Sequence, residues 1–216
     1  MTKDPSPYSP RVLRERPGAN RTLIYIPIIH AQEDLGGLGQ AIRRATTQQV
    51  GQRGFYHKTR VIEERWTQID KALEALKLDF ARVRLYQDGL PVCGREAELV
   101  AQLAQTGSRN YQILQKLMDR GAVLMGTEDP ELLQQEYELA IATLSSPARG
   151  RGPTAVAGGP ARHQTLLESR DRFIAQGIND TLQAGETAIL FLGMLHAPEK
   201  FLSRDIRVIY PLGRRR

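Results

Sequence analysis

The chain has 216 residues, 41% of them apolar and 25% charged, with a formal net charge of +6. That length supports one substantial hydrophobic core. The single cysteine, Cys93, excludes an intramolecular disulfide and any CxxC metal or redox motif, and no apolar run reaches the roughly 20 residues that span a bilayer.

The charge surplus sits at the ends. Residues 1–21 carry five basic and two acidic side chains, and Arg214, Arg215 and Arg216 close the chain, so residues 22–213 are neutral overall. A nucleic-acid groove requires Lys and Arg clustered on a folded face, so this distribution argues against a nucleic-acid partner. Residues 1–21, with four prolines, read as a disordered basic tail without the apolar centre of a signal peptide. The expectation is a cytoplasmic protein with one domain over 22–213 and a second short basic tail at 214–216.

"RTLIYIPII", Arg21 to Ile29, is a nearly continuous apolar run, as expected of a parallel strand covered on both faces. Pro27 is awkward there, because it cannot donate to a strand ladder. A short helix is predicted near "GLGQAIRRATTQQ". A longer one is predicted from about Tyr56 to Leu78, where Val61, Ile62, Trp66, Ile69, Leu73 and Leu76 recur at helical spacing. "FARVRLYQDGLP" reads as a second strand ending in a turn at Asp88 and Gly89.

Two helices fit "GREAELVAQLAQTG" and "SRNYQILQKLMDRG", the second with Ser108 as N-cap and Gly121 as its stop. A third strand, "AVLMGTE", precedes the helix "DPELLQQEYELAIATL", where Asp129 before Pro130 is the order of an N-cap and first turn. Residues 145–162, rich in glycine and proline, read as a flexible loop. A long amphipathic helix from His163 to about Gly185, the strand "TAILFLGMLH", a short helix "PEKFLSRD" and a last strand "IRVIYPL" complete the chain. This alternation predicts an α/β fold, with a mostly parallel central sheet of about five strands and helices on both faces.

Ligands of such sheets bind beyond the carboxyl ends of the strands. There the sequence places His30 after "IYIPII", Asp88 after "RVRLYQ", Thr127 and Glu128 after "AVLMG", and His196 after "ILFLGML". Parallel strands would gather these groups on one rim. His30, His196, Glu33 and Asp34 are then candidate ligands of a divalent metal, and either histidine is a candidate general base oriented by a carboxylate. Asp88 also suits a turn, and Glu128 suits the start of a helix on dipole grounds. Cys93 reads as a small buried side chain, and His57 and His163 as surface residues.

Arg170 is expected near the start of its helix, where a cation opposes the macrodipole, so it needs a partner. Glu168 or Glu128 could serve, or the carboxylate or phosphate of a substrate.

"ESRDRFIAQGINDTLQAGETAILFLGMLH" resembles the signature of the superfamily that groups TraB/PrgY proteins, TIKI metalloproteases, erythromycin esterases and ChaN-like haem-binding proteins. The shared pattern is an acid-x-Arg-Asn/Asp helix segment followed by an apolar strand closing on GxxH. Here these are Glu168, Arg170 and Asp171, then Gly193 to His196. The earlier GxxH would be Pro27 to His30, with proline in the glycine position. The resemblance includes hydrolases, metal-dependent or histidine-assisted, and with the polar rim it leads to the expectation of a hydrolase acting on a small molecule or peptide, in which His30 and His196 bind a metal or activate water, Glu33, Asp34 or Glu128 supplies a carboxylate and Arg170 stabilises developing negative charge. The other reading it implies is a non-catalytic protein that holds a small ligand or haem, with His30 or His196 as axial ligand. A homo-oligomer is compatible with either.

Overall fold

A computed structural model describes residues 11–12, 20–31, 34, 39–145 and 159–213. Six strands form one sheet: β1 (Arg11–Val12), β2 (Arg21–Ile28), β3 (Val83–Gln87), β4 (Val123–Leu124), β5 (Thr187–Gly193) and β6 (Ile206–Tyr210). Their order is β1-β6-β2-β5-β3-β4, and all pairings are parallel except that of β1 with β6. The α/β architecture and the five parallel strands are as the alternation predicts. Arg11 and Val12, placed in a tail by composition, instead add an antiparallel edge strand, and Arg21 opens β2; residues 159–162 of the expected loop are helical, while residues 1–10, 13–19, 146–158 and 214–216 lie outside the described residues.

The helices are α1 (Gly39–Ala75), α2 (Glu96–Gln105), α3 (Arg109–Asp119), α4 (Pro130–Ser145) and α5 (Gly159–Thr181). One face of the sheet packs Ile24, Ile26, Ile28, Leu85, Ile189 and Phe191 against Trp66, Ile69 and Leu73 of α1 and Ile113, Leu114 and Leu117 of α3. The opposite face packs Leu23, Tyr25, Tyr86, Ala188, Leu190 and Leu192 against Ile174, Ala175, Ile178 and Leu182 of α5. Alternate residues of β2 thus enter different cores, which is why its sequence lacks polar alternation.

Pro27 is accommodated by register. β2 pairs with β5 through Ile28, but its pairing with β6 ends at Ile24. The Pro27 carbonyl accepts from Arg65 of α1, and in a parallel strand a residue's nitrogen faces the same side as its carbonyl. The missing N–H therefore falls where no strand needs it.

The two helices predicted between residues 37 and 78 form one element broken at Gly51, whose φ of 71° and ψ of 171° are open to glycine and strained for other residues. Arg43 lies 5.3 Å from the ring centroid of Phe55, whereas twelve residues of straight helix span about 18 Å. The two halves of α1 consequently fold back on each other.

Ser108 caps α3, and Asp129 accepts from the N–H groups of Glu131 and Leu132 at the start of α4, both as their local sequence dictates. Two expectations are corrected. Cys93 is exposed, because it follows the turn after β3 and its segment faces outward. Arg170 lies in the middle of α5, which begins at Gly159, so the helix dipole is not what demands a partner for it.

No described helix is long and apolar enough to cross a membrane.

Candidate functional site

The carboxyl ends of β2, β3 and β5 open onto a cavity of about 560 Å³ whose walls include His30, Asp34, Asp88, Glu136, Arg170 and His196. The remaining walls are largely apolar, with Ile29, Ile42, Leu133, Tyr137 and Leu167 among them. His30 and His196 therefore share one cavity, as expected of two strands that are neighbours in the sheet. His196 is reached through a turn at Met194 and Leu195, which folds its ring back toward the strand ends.

Asp88 is the hub. Its Oδ2 accepts from His30 Nε2 at 3.0 Å and from the Gly193 N–H at 2.8 Å, while Oδ1 accepts from Arg170 Nη2 at 2.9 Å. Gly193 leaves room for this approach: a Cβ there would lie 3.0 Å from Asp88 Oδ2, so the carboxylate would have to shift by a few tenths of an ångström. Burial opposes the charge on Asp88, but its hydrogen bond to His30 and the charges of His30, His196 and Arg170 outweigh it and hold the carboxyl well below its ordinary range. For His30, burial opposes protonation, yet the bond to Asp88 and the charges of Asp88 and Asp34 raise its pKa above the ordinary value.

Arg170 is held by three carboxylates. Nε donates to Glu128 Oε2 at 2.7 Å and Nη2 to Glu128 Oε1 at 2.6 Å; Nη2 also reaches Asp88, and Nη1 donates to Glu136. Glu128, fully buried behind the guanidinium, also accepts from the Gly89 N–H at 3.0 Å. Of the two partners expected for Arg170, Glu128 is the real one, while Glu168 pairs with Arg172. The guanidinium is thus a structural tie, and its carboxylate partners compensate its charge. Glu128 does not line the cavity.

His196 belongs to a second pair. Its Nδ1 donates to Asp171 Oδ1 at 2.6 Å, and the other carboxylate oxygen accepts the Ala197 N–H at 2.9 Å. The imidazole is 5% exposed, and its Nε2 makes no hydrogen bond to a described residue. Tyr25 donates its hydroxyl to the His196 carbonyl at 3.4 Å, tying the backbone as well.

Asp34 joins β2 to α3. Its Oδ2 accepts from the Ala31 N–H at 2.7 Å and its Oδ1 from the Ser108 hydroxyl at 2.5 Å. The residue expected as a metal ligand thus pins the segment that carries His30. Glu33 lies outside the described residues.

Among the described residues, no three His, Cys, Asp or Glu side chains stand together as ion ligands. Both oxygens of Asp88, Asp171 and Asp34 already accept protein protons, and His30 Nε2 is engaged by Asp88. The described donors therefore do not fit a divalent ion bridging the two histidines.

Four residues carry more than the sequence suggested. Asp88 reads as a turn residue and is the hub of the network. Asp171 is visible only within the family-like motif. Glu136 looks like one of several solvent-facing acids on α4. Tyr111 looks like part of the apolar face of α3, yet it lines the cavity, and its hydroxyl makes no hydrogen bond to a described residue. Burial and the charges of Asp34 and Asp88 raise its pKa, so it remains a neutral donor.

No family model, curated protein or solved structure matches the chain.

Proposed function

We propose that the chain is a hydrolase that cleaves an ester or amide at the carboxyl end of its sheet, with His196 as general base. The observation that carries this reading is the His196–Asp171 pair. Asp171 accepts the Nδ1 proton, which leaves the Nε2 lone pair directed to a cavity from a ring that packing holds in place. Nε2 takes a proton from water as the water oxygen attacks the acyl carbon, and Asp171 stabilises the imidazolium that results. The tetrahedral intermediate then collapses, and His196 returns the proton to the leaving oxygen or nitrogen.

Negative charge on the acyl oxygen requires a donor that is not already engaged. Arg170, expected in that role, donates to three carboxylates. The Tyr111 hydroxyl and the ring of His30, with its raised pKa, are the better-suited groups. The likeness of residues 168–196 to the hydrolase-containing superfamily supports the reading, because Asp171 and His196 of that motif are the residues in contact.

The test is turnover of 4-nitrophenyl esters of increasing acyl length by the purified chain and by His196→Gln. Positioned general-base catalysis is worth about 10²–10⁴-fold, so the variant should lose about that much kcat/KM while keeping its fold. Equal rates for the two proteins, or no turnover of any ester by the native chain, would overturn the reading.

A further inference from the structure

The cavity has a one-sided charge. Asp34, Asp88 and Glu136 line it, Glu128 and Asp171 stand directly behind it, and among the described lining residues Arg170 is the sole permanent cation. The rest of the wall is apolar. A charged ligand entering this space stands among these groups, so the sign of the local charge acts on it.

Two atoms show where such a ligand can be held. His196, 5% exposed, lines the cavity, and its Nε2 makes no hydrogen bond to a described residue. Glu136 gives Oε2 to Arg170, while its Oε1 makes no hydrogen bond to a described residue; the side chain is 44% exposed, at the outer part of the cavity. Tyr137, the next residue of α4, also lines the cavity and is half-exposed, so a carboxylate and an aromatic ring both belong to its outer wall. A cavity wall that offers both a carboxylate and an aromatic ring suits an organic ammonium group.

We propose that the site selects substrates with a positive charge on an apolar body, alkylammonium esters or amides, with Glu136 Oε1 and the Tyr137 ring receiving the cationic end. The inference rests on the hydrolase reading for the bond that reacts. The charge preference itself follows from the cavity alone. Glu136 is then a specificity-determining residue rather than a catalytic one.

The experiment is calorimetric titration with three probes of one chain length, octyltrimethylammonium, octanol and octyl sulfonate, all below their aggregation limits. The cation should bind at least about tenfold more tightly than the sulfonate, a difference of about 1.4 kcal/mol. The preference should shrink in Glu136→Gln and, in the native chain, as salt is raised from about 0.05 to 0.5 M. The salt series needs no variant and stands if Glu136→Gln fails to fold. Equal binding of cation and sulfonate, tighter binding of the sulfonate, or a preference indifferent to salt would overturn the proposal. Because no turnover is measured, a failure of hydrolysis and a failure of charge selection are seen separately.

Discussion

His30 and His196 follow apolar strands in nearly the same sequence context, PIIH and GMLH, and face one cavity, yet their rings are held in opposite ways. His30 directs Nε2 to Asp88, which Arg170 and the Gly193 N–H also hold, and its side chain is 31% exposed. His196 directs Nδ1 to Asp171, a carboxylate whose other partner is a backbone N–H, and leaves Nε2 toward the cavity. The nitrogen that meets the carboxylate decides which nitrogen can accept a proton. Similar strand ends therefore yield one histidine suited to take a proton and one biased toward holding it.

The largest effect should come from breaking the second pair. Asp171→Asn removes the acceptor that fixes the His196 tautomer, and ester turnover should fall by about 10²–10⁴-fold, as for His196→Gln. The double variant should be little worse than either single change, because the two residues act as a unit. Multiplicative losses in steady-state kinetics would separate them.

Breaking the first pair should act mainly on stability. Arg170→Ala leaves Glu128 and Asp88 buried without their cation, and removal of one partner of a buried ion pair costs about 3–5 kcal/mol. Urea unfolding reads this loss; a change under about 1 kcal/mol would mean that the network is not the tie described here. Gly193→Ala is a milder probe of the same hub. Its Cβ would crowd Asp88 Oδ2, and overpacking of this kind costs about 1–3 kcal/mol.

The subtlest effect is on pH dependence. His30 has a raised pKa in the folded chain, so its contribution to stability is complete below the ordinary histidine value of 6.5 and is lost as pH rises through the folded value. Asp88 behaves oppositely: its contribution is present above the ordinary carboxylate value and is lost as pH falls. The stability difference between the native chain and His30→Gln should thus shrink from pH 6 toward pH 9. A difference that grows over that range would contradict the His30–Asp88 bond.

The sheet was legible in the sequence because burial on both faces leaves continuous apolar runs, and β2 and β5 are such runs. The helix starts at Ser108 and Asp129 were legible because capping is a local interaction. The polar rim followed from strand direction alone. Apart from the Arg170–Glu128 pair, which the need to compensate a cation suggested, its internal partners did not, because hydrogen bonds between residues as distant as Asp88 and Arg170 leave no periodic trace. Asp88 and Gly89 form a turn and so look complete as one, although the carboxylate of Asp88 serves the neighbouring strands. Tyr111 satisfies the helical pattern through its ring and conceals the hydroxyl that faces the cavity. The fold back of α1 was hidden for another reason: glycine inside a helical pattern marks a break without giving its direction.

The opposed placement of the two histidine protons is the centre of the account, and long-range ¹H–¹⁵N correlation of the imidazole rings measures it directly. In its neutral form His196 should carry its proton on Nδ1 and show Nε2 unprotonated, and Asp171→Asn should abolish that bias, while His30 should carry a proton on Nε2. A proton on Nε2 of neutral His196, or the same proton placement in both rings, would contradict it.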